Sequence, residues 1–309
     1  MHIGETILLK GQYDSYVLAL NDSKSIIKQN GEISSTYLGI ANNSDKKVII
    51  KRFHPSLYNH PEYQFRFEKE YEATKLCTEL NPDFFEQDGI KYLVTNYIDG
   101  ITVQALKQWR YRRKLKTSDY FGITINIIKA LRKIHNAGFI HCDLKPANII
   151  VETNNIKEIS NAPTHIIDMG LARRIGENPA LKRGKLPFSL IYSAPEQMLN
   201  LWELLDYRTD IYALGVTTWQ LFTQQVPWET DNPLKTIHIQ LTQPLPQSRK
   251  VPENLKPILL KMCSKPHLTK PPRYYSRKKL LELTTEAMDN RYNSTLELEN
   301  EIVQIADLE

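Results

Sequence analysis

The segment His141-Cys142-Asp143-Leu144-Lys145-Pro146-Ala147-Asn148 sets an acid, a cation and an amide within six residues. Twenty-five residues beyond Asp143, the apolar run His165-Ile166-Ile167 leads into Asp168-Met169-Gly170, which reads as a strand delivering a carboxylate into a tight turn. Phosphoryl transfer needs such a set. One carboxylate orients the attacking hydroxyl, an amide and a second carboxylate hold Mg²⁺, and a Lys stabilises charge on the group in flight. Upstream, Lys51 ends the apolar run Val48-Ile49-Ile50, and Glu70 shares a helical face with Phe67, Thr74 and Cys77. A carboxylate on an apolar face needs a cation. Alone, Lys51 reads as a solvated strand residue and Glu70 as a helix-surface charge; together each answers the other's need for a counter-ion.

The elements that must position these groups fall into two regions. Residues 1 to about 58 read mainly as strands, because Thr6-Ile7-Leu8-Leu9, Ser25-Ile26-Ile27 and Val48-Ile49-Ile50 alternate with turn clusters such as Gln29-Asn30-Gly31 and Asn42-Asn43-Ser44-Asp45. A helix is expected from Pro61 to about Leu80, and another strand over Lys91–Thr95. Asp99-Gly100 marks a boundary. Beyond it, Ser118 is expected to cap a helix whose Phe121, Ile125, Ile128, Leu131 and Ile134 keep a 3.6 period, with Gly138 at its end. The remainder reads as mostly helical, with loops at 152–163 and 173–190 and a buried helix over Ile211–Phe222; Asp210 before it reads on its own as a cap.

At 309 residues the chain is long enough for one large domain or two lobes. Forty Lys+Arg against thirty-five Asp+Glu gives +5, which falls short of a nucleic-acid-binding signature. Cys77, Cys142 and Cys263 are widely spaced and outside any C-x-x-C pattern, so a reducing compartment is expected rather than a disulfide framework or zinc site. Neither a leader nor a membrane-spanning run is read, and a cytoplasmic location is expected, export to another compartment staying open.

Taken in order, these motifs resemble the eukaryotic-type protein kinase family. Val48-Ile49-Ile50-Lys51 is similar to the strand carrying the phosphate-binding Lys, and Arg66-Phe67-Glu68-Lys69-Glu70 aligns Glu70 with its partner on helix C. His141–Asn148 resembles the catalytic loop, Asp168-Met169-Gly170 the metal-binding turn, and Ala194-Pro195-Glu196 the end of the activation segment. Asp210 and Gly215 resemble the residues that open the buried helix F, and Arg291 the Arg that pairs with Glu196. The resemblance covers roughly residues 25 to 303.

That resemblance implies an α+β, two-lobed kinase fold: a small antiparallel β-sheet lobe with helix C and a larger, mainly helical lobe. The expected division is an N-terminal extension over 1–24 that adds strands, a nucleotide-binding lobe over 25–98 and a catalytic lobe over 99–309. It implies transfer of the γ-phosphoryl of ATP to a Ser/Thr hydroxyl of a protein, with Mg²⁺ or Mn²⁺. Asp143, Lys145, Asn148 and Asp168 would be catalytic, and Asn148 and Asp168 would hold the metal. Gly31, Thr36, Ile49, Lys51, Glu70, Thr95, Asn96, Ile98 and Ile150 would surround the nucleotide, with Thr95 as gatekeeper. Lys145, and Ser189 in Phe188-Ser189-Leu190-Ile191-Tyr192, favour Ser/Thr specificity.

Departures from the family pattern carry their own expectations. Gln29, Gly31 and Ser34 stand at the three positions of the Gly-rich loop, so the backbone approaches the phosphates less closely there. Ile49 and Thr36 replace the family's Ala and Val, which implies a tighter, more polar pocket. Cys142 replaces the Arg that binds a phosphorylated activation loop, and a thiol offers phosphate no charge-assisted hydrogen bond, so activity is expected without phosphorylation of that loop. The basic runs 110–116 and 265–279 read as solvated faces or as docking surfaces for an acidic partner. Two other readings stay open: a pseudokinase scaffold, motivated by the eroded Gly loop, and a small-molecule kinase of related fold.

Overall fold

The computed structural model of the chain describes residues 6–20, 22–29, 31–177, 189–228 and 230–307. They form two compact units, Met1–Ile98 with Asp168–Gly170, and Asp99–Ile167 with Leu171–Glu309. Among the described residues no helix is long and apolar enough to cross a membrane.

In the first unit the β-branched runs form an antiparallel sheet of β1 (Thr6–Lys10), β2 (Ser15–Ala19), β3 (Ile26–Lys28), β4 (Ser34–Ala41), β5 (Lys47–Phe53), β6 (Asp83–Gln87) and β7 (Ile90–Asn96). Its order is β1-β2-β4-β5-β7-β6, with β3 beside β2 on the same edge of β4. Residues on alternate sides of the pleat divide the labour. Leu9, Leu18, Tyr37, Val48, Ile50, Tyr92 and Val94 bury one face in a single core, whereas Thr36, Ile49, Lys51 and Thr95 lie on the other, brought side by side by the pairs Thr36↔Lys51 and Ile49↔Thr95.

The sheet then curls until its first and last strands meet. Among the described residues no backbone ladder joins β1 to β6; two side chains of β6 do. Gln87 accepts from the Lys10 N–H at 2.8 Å and donates to the Leu8 carbonyl at 3.1 Å. Asp83, buried, accepts from the N–H groups of Gln12 and Tyr13, each at 3.2 Å, and from the Tyr16 hydroxyl at 2.8 Å. Burial and this carboxylate push the Tyr16 phenol well above its usual range. Gly11 is required at the turn, since a Cβ there would strike the Asp83 carboxylate and the Tyr16 ring. Residues 6–20 thus turn an open sheet into a six-stranded barrel closed through side chains.

Helix α1 (Pro61–Cys77) packs on the Lys51 face, with Phe67 against Phe53, Leu93 and Ile33, and buries Phe67, Glu70, Ala73, Thr74 and Cys77. The helix ends three residues before the expected Leu80, because Thr78 is extended and the left-handed Asn81 with Pro82 cannot continue it.

The second unit holds α2 (Trp109–Arg112), α3 (Thr117–Asn136), α4 (Pro195–Met198), α5 (Tyr207–Thr223), α6 (Pro233–Thr242), α7 (Lys256–Met262), α8 (Arg277–Asp289) and α9 (Thr295–Ala306). Short strands β8 (Ile101–Thr102), β9 (Phe139–Ile140), β10 (Ile149–Val151), β11 (Thr164–Ile166) and β12 (Arg173–Arg174) pair as β11-β10-β8 and β12-β9. Helix α3 begins at Thr117, not after a Ser118 cap: the Asp119 carboxylate accepts the Lys116 N–H at 2.8 Å and satisfies the helix entry. Its buried stripe runs through Ile123 and Ile127 rather than Ile125, and Gly138 leaves it at φ +80°. Helix α5 is buried almost throughout and is capped by Asp206, which frees Asp210 for another task. Gly215 lets α7 approach, since a Cβ would come within 2.9 Å of Met262 Cβ. The long loop 152–163 docks on α3 through Asn126, whose amide donates to the Ser160 and Ala162 carbonyls. Of the expected 173–190 loop, Arg173–Arg174 are strand, and 178–188, with Phe188, lie outside the described residues.

Candidate active site

The loop after β9 is shaped by one buried carboxylate. Asp210 accepts the N–H of His141 at 2.8 Å, the N–H of Cys142 at 2.9 Å and a hydrogen bond from His135 Nε2 at 2.9 Å. Burial would raise its pKa, but the His135 hydrogen bond, with the other donors, holds it below the usual carboxylate value. Cys142 sits in the left-handed region at φ 65°, a conformation that costs energy for a non-Gly residue and persists because Asp210 on one side and Gln197, donating to the Cys142 carbonyl at 2.8 Å, fix it on the other. His141 Nδ1 accepts the Asp143 N–H at 3.2 Å, so its ring proton lies on Nε2 and is donated to the Ile167 carbonyl at 3.2 Å.

The loop so held presents Asp143. Its Oδ2 accepts from Lys145 Nζ at 2.6 Å and from the Asn148 amide at 3.3 Å, while Oδ1 accepts the Ser189 N–H at 3.3 Å. Lys145 Nζ also donates to Ser189 Oγ at 2.7 Å. The Asn148 nitrogen is further spent on the Asp143 carbonyl at 3.0 Å, which leaves its side-chain oxygen as a hard donor suited to a cation such as Mg²⁺.

The first unit gathers a second cluster. Lys51 Nζ forms ion pairs with Glu70 Oε1 and, at 2.8 Å, with Asp168 Oδ1. Burial would lower the Lys51 pKa; the Asp168 and Glu70 carboxylates outweigh it and raise the ammonium above its ordinary value. Burial lifts the Glu70 carboxyl despite the Lys51 charge. Asp168 is reached through a left-handed backbone at φ 67°, and the Gly170 carbonyl accepts from Arg66 Nε at 3.0 Å. Arg66 in turn pairs with Glu32 at 2.8 Å, tying the 29–34 loop to α1.

Behind the second unit's loop, Glu196 and Arg291 close a buried bidentate pair, to which Thr209 Oγ1 and the Arg208 and Ser264 carbonyls contribute hydrogen bonds. Residues 29–292 match the protein kinase domain. This chain belongs to the protein kinase domain family. The kinase domain is 27% identical over 261 residues to a probable serine/threonine-protein kinase of Clostridium perfringens, covering 81% of this chain and 36% of that protein. It is 30% identical over 223 residues to serine/threonine-protein kinase pkn3 of Myxococcus xanthus, 68% of this chain and 39% of that one, and 26% identical over 245 residues to serine/threonine-protein kinase PrkC of Bacillus subtilis, 76% and 36%. The chain therefore spans somewhat over a third of the length of these curated relatives.

Within the kinase domain the other expected residues divide by unit. Thr36, Ile49 and Thr95 share the sheet face of Lys51. Asn96 ends β7, exposed, and Ile98 follows it; Ile150 lies in β10, between Thr102 and His165. Gly31 is turned to another use, its carbonyl bonded to the His54 ring at 2.9 Å. Ile33 of the same loop is buried on Phe53 and Phe67. Cys142 packs with Ile140, Leu205, Leu171 and Trp202, and burial pushes its thiol up to about 12. Asp83 and Gln87 gave no signal in sequence, because an isolated polar residue in a short strand has no period to betray it.

Proposed function

We propose that this kinase domain transfers the γ-phosphoryl of ATP to Ser or Thr hydroxyls of protein substrates. The observation that carries the proposal is the hydrogen-bonded set Asp143–Lys145–Ser189: the catalytic loop holds an aliphatic hydroxyl on its Lys, with the carboxylate beside it. Asp143 orients the acceptor hydroxyl and takes its proton as the oxygen attacks phosphorus; Lys145 stabilises the charge on the transferring phosphoryl. Lys51, steadied by Glu70, engages the α- and β-phosphates. Asn148 and Asp168 would hold Mg²⁺, which when bound neutralises phosphate charge. The printed names of the relatives support the Ser/Thr class. Radiolabel transfer from γ-labelled ATP to a generic Ser/Thr substrate should be strong for the wild type and absent for Asp143→Ala; equal labelling by both refutes the proposal.

This activity does not await phosphorylation of the activation segment. Residues 169–188 contain no Ser, Thr or Tyr, so there is no hydroxyl to modify before Ser189, which Lys145 already holds. Cys142, a neutral buried thiol, supports the same reading. Acidic stretches of a protein partner would meet the run 110–116, where Arg110, Arg112, Arg113 and Lys114 are exposed and make no ion pair among the described residues. The run 265–279 is a poorer dock: Lys265 is spent on the Gln240 and Gln243 carbonyls and Arg277 on Glu203.

A further inference from the structure

Closing the barrel leaves one of its ends open. There the β1–β2 turn, the β4–β5 turn, the loop after α1 and the end of β7 converge around a cavity of about 470 Å³, lined by Tyr16, Ala41, Val48 and Val94 from the barrel interior, by Pro82 from the loop and by Thr95 and Asn96 from β7. All of its lining belongs to the first unit. This is the size range of small-molecule sites, and barrel mouths are a preferred place for them.

Charge at the rim decides what kind of molecule fits. Asp14, Lys46 and Lys75 stand around the opening. Asp14 is already engaged, its Oδ1 accepting the N–H groups of Ser15 at 2.7 Å and Asn43 at 3.2 Å. Lys75 makes a long 3.4 Å contact with the Tyr71 hydroxyl and lies over that ring, 5.7 Å from its centroid, and Lys46 is exposed. A lining of mixed polarity, whose apolar part is Tyr16, Ala41, Val48, Val94 and Pro82, beneath two ammonium groups suits a small organic anion whose apolar body packs on those residues and whose charge stays at the mouth.

We propose that the open end of the barrel is a binding site for a small amphipathic anion, an aromatic or aliphatic acid, entered from the side of β5 opposite Lys51. Val48, which lines the cavity, alternates with Ile49 and Lys51, whose side chains lie on the opposite face, so the two sites lie across β5 from each other and border one another at Thr95 and Asn96, which also line the cavity at the end of β7. The loop 78–82 that walls the cavity directly follows α1, the helix that carries Glu70.

The test uses the fluorescent probe 1-anilinonaphthalene-8-sulfonate with the full chain, in saturating Mg-ATP so that the nucleotide site is filled. One probe should bind per chain, and Lys46→Glu with Lys75→Glu should weaken it by about tenfold through the reversed rim charge, as should removing the sulfonate from the probe. Ala41→Phe, which fills the interior, should abolish binding while the charge variant, altered only at exposed residues, keeps its fold. Failure to bind, displacement by Mg-ATP, or equal affinity in the wild type and the charge variant would overturn the proposal. None of these outcomes depends on phosphoryl transfer, so loss of one reading leaves the other standing.

Discussion

Glu196 and Arg291, 95 positions apart, meet as a bidentate pair at 2.7 and 3.0 Å with neither side chain exposed. Each guanidinium nitrogen donates to Glu196, the Arg208 carbonyl or the Ser264 carbonyl, and its Cζ lies 5.0 Å from the Tyr212 ring centroid. Removing one partner strands the other charge without water. Arg291→Ala should therefore destabilise the second unit by about 3–5 kcal/mol. Replacing both, Glu196→Gln with Arg291→Met, should cost less than Arg291→Ala alone. Urea denaturation of the two variants beside the wild type checks the order.

Lys51 has two carboxylate partners, and they are not equivalent. Glu70 is buried on α1, while Asp168 is partly exposed. Glu70→Gln keeps the shape and leaves Lys51 to Asp168, drawing it away from the phosphates. A fall of about 10² in kcat/KM is expected, of the order found when a single transition-state contact is lost. Thermal stability should shift much less. Steady-state rates against ATP concentration, beside a melting curve, separate the two effects.

Because residues 169–188 carry no hydroxyl side chain, exhaustive treatment with a broad-specificity phosphatase should leave the initial rate of the purified protein within about twofold, well below a 1.4 kcal/mol tenfold change. Phosphosite mapping after autophosphorylation should find nothing between Asp168 and Ser189. A phosphatase-sensitive rate tracked to this segment would count against the regulatory reading.

The thiols of Cys142 and Cys263 are both buried and pushed up to about 12. A thiol is neutral when protonated, so raising its folded pKa stabilises the fold below an unfolded thiol's value of about 8.5 and forfeits that contribution as pH climbs toward 12. Stability should decline above pH 9 by up to about 1 kcal/mol per pH unit for each thiol. Site-resolved alkylation at pH 8 should label neither in the folded protein and both in denaturant.

The proposed catalytic residues were legible because their chemistry is local. Asp143, Lys145 and Asn148 lie in one loop, and the recurrence of Phe67, Glu70, Thr74 and Cys77 placed Glu70 on the inward face of α1, where the structure has it. Asp210 was legible only in part. Its place before the apolar run 211–222 suggested a cap, but α5 begins at Tyr207 and Asp206 takes that role, and what Asp210 holds, the N–H groups of His141 and Cys142, depends on a chain segment almost 70 residues away. The start of α3 differs for a related reason: Ser118 has the chemistry of a cap, yet the reach-back by Asp119 satisfies the helix entry at Lys116, two residues earlier. Basic residues in 265–279 looked free because a sequence shows their charge and not the carbonyls and carboxylate that receive it.

Barrel closure also bears on the order of assembly. Lys10 and Gln87, whose hydrogen bond helps to join β1 to β6, are separated by 77 positions. β1 is completed by the later β6, so its outer edge stays unpaired until most of the first unit has left the ribosome, and a unit with such distant pairings folds late and slowly. Once Asp83 and Gln87 engage the 8–13 backbone, that edge is no longer offered to strands of other chains.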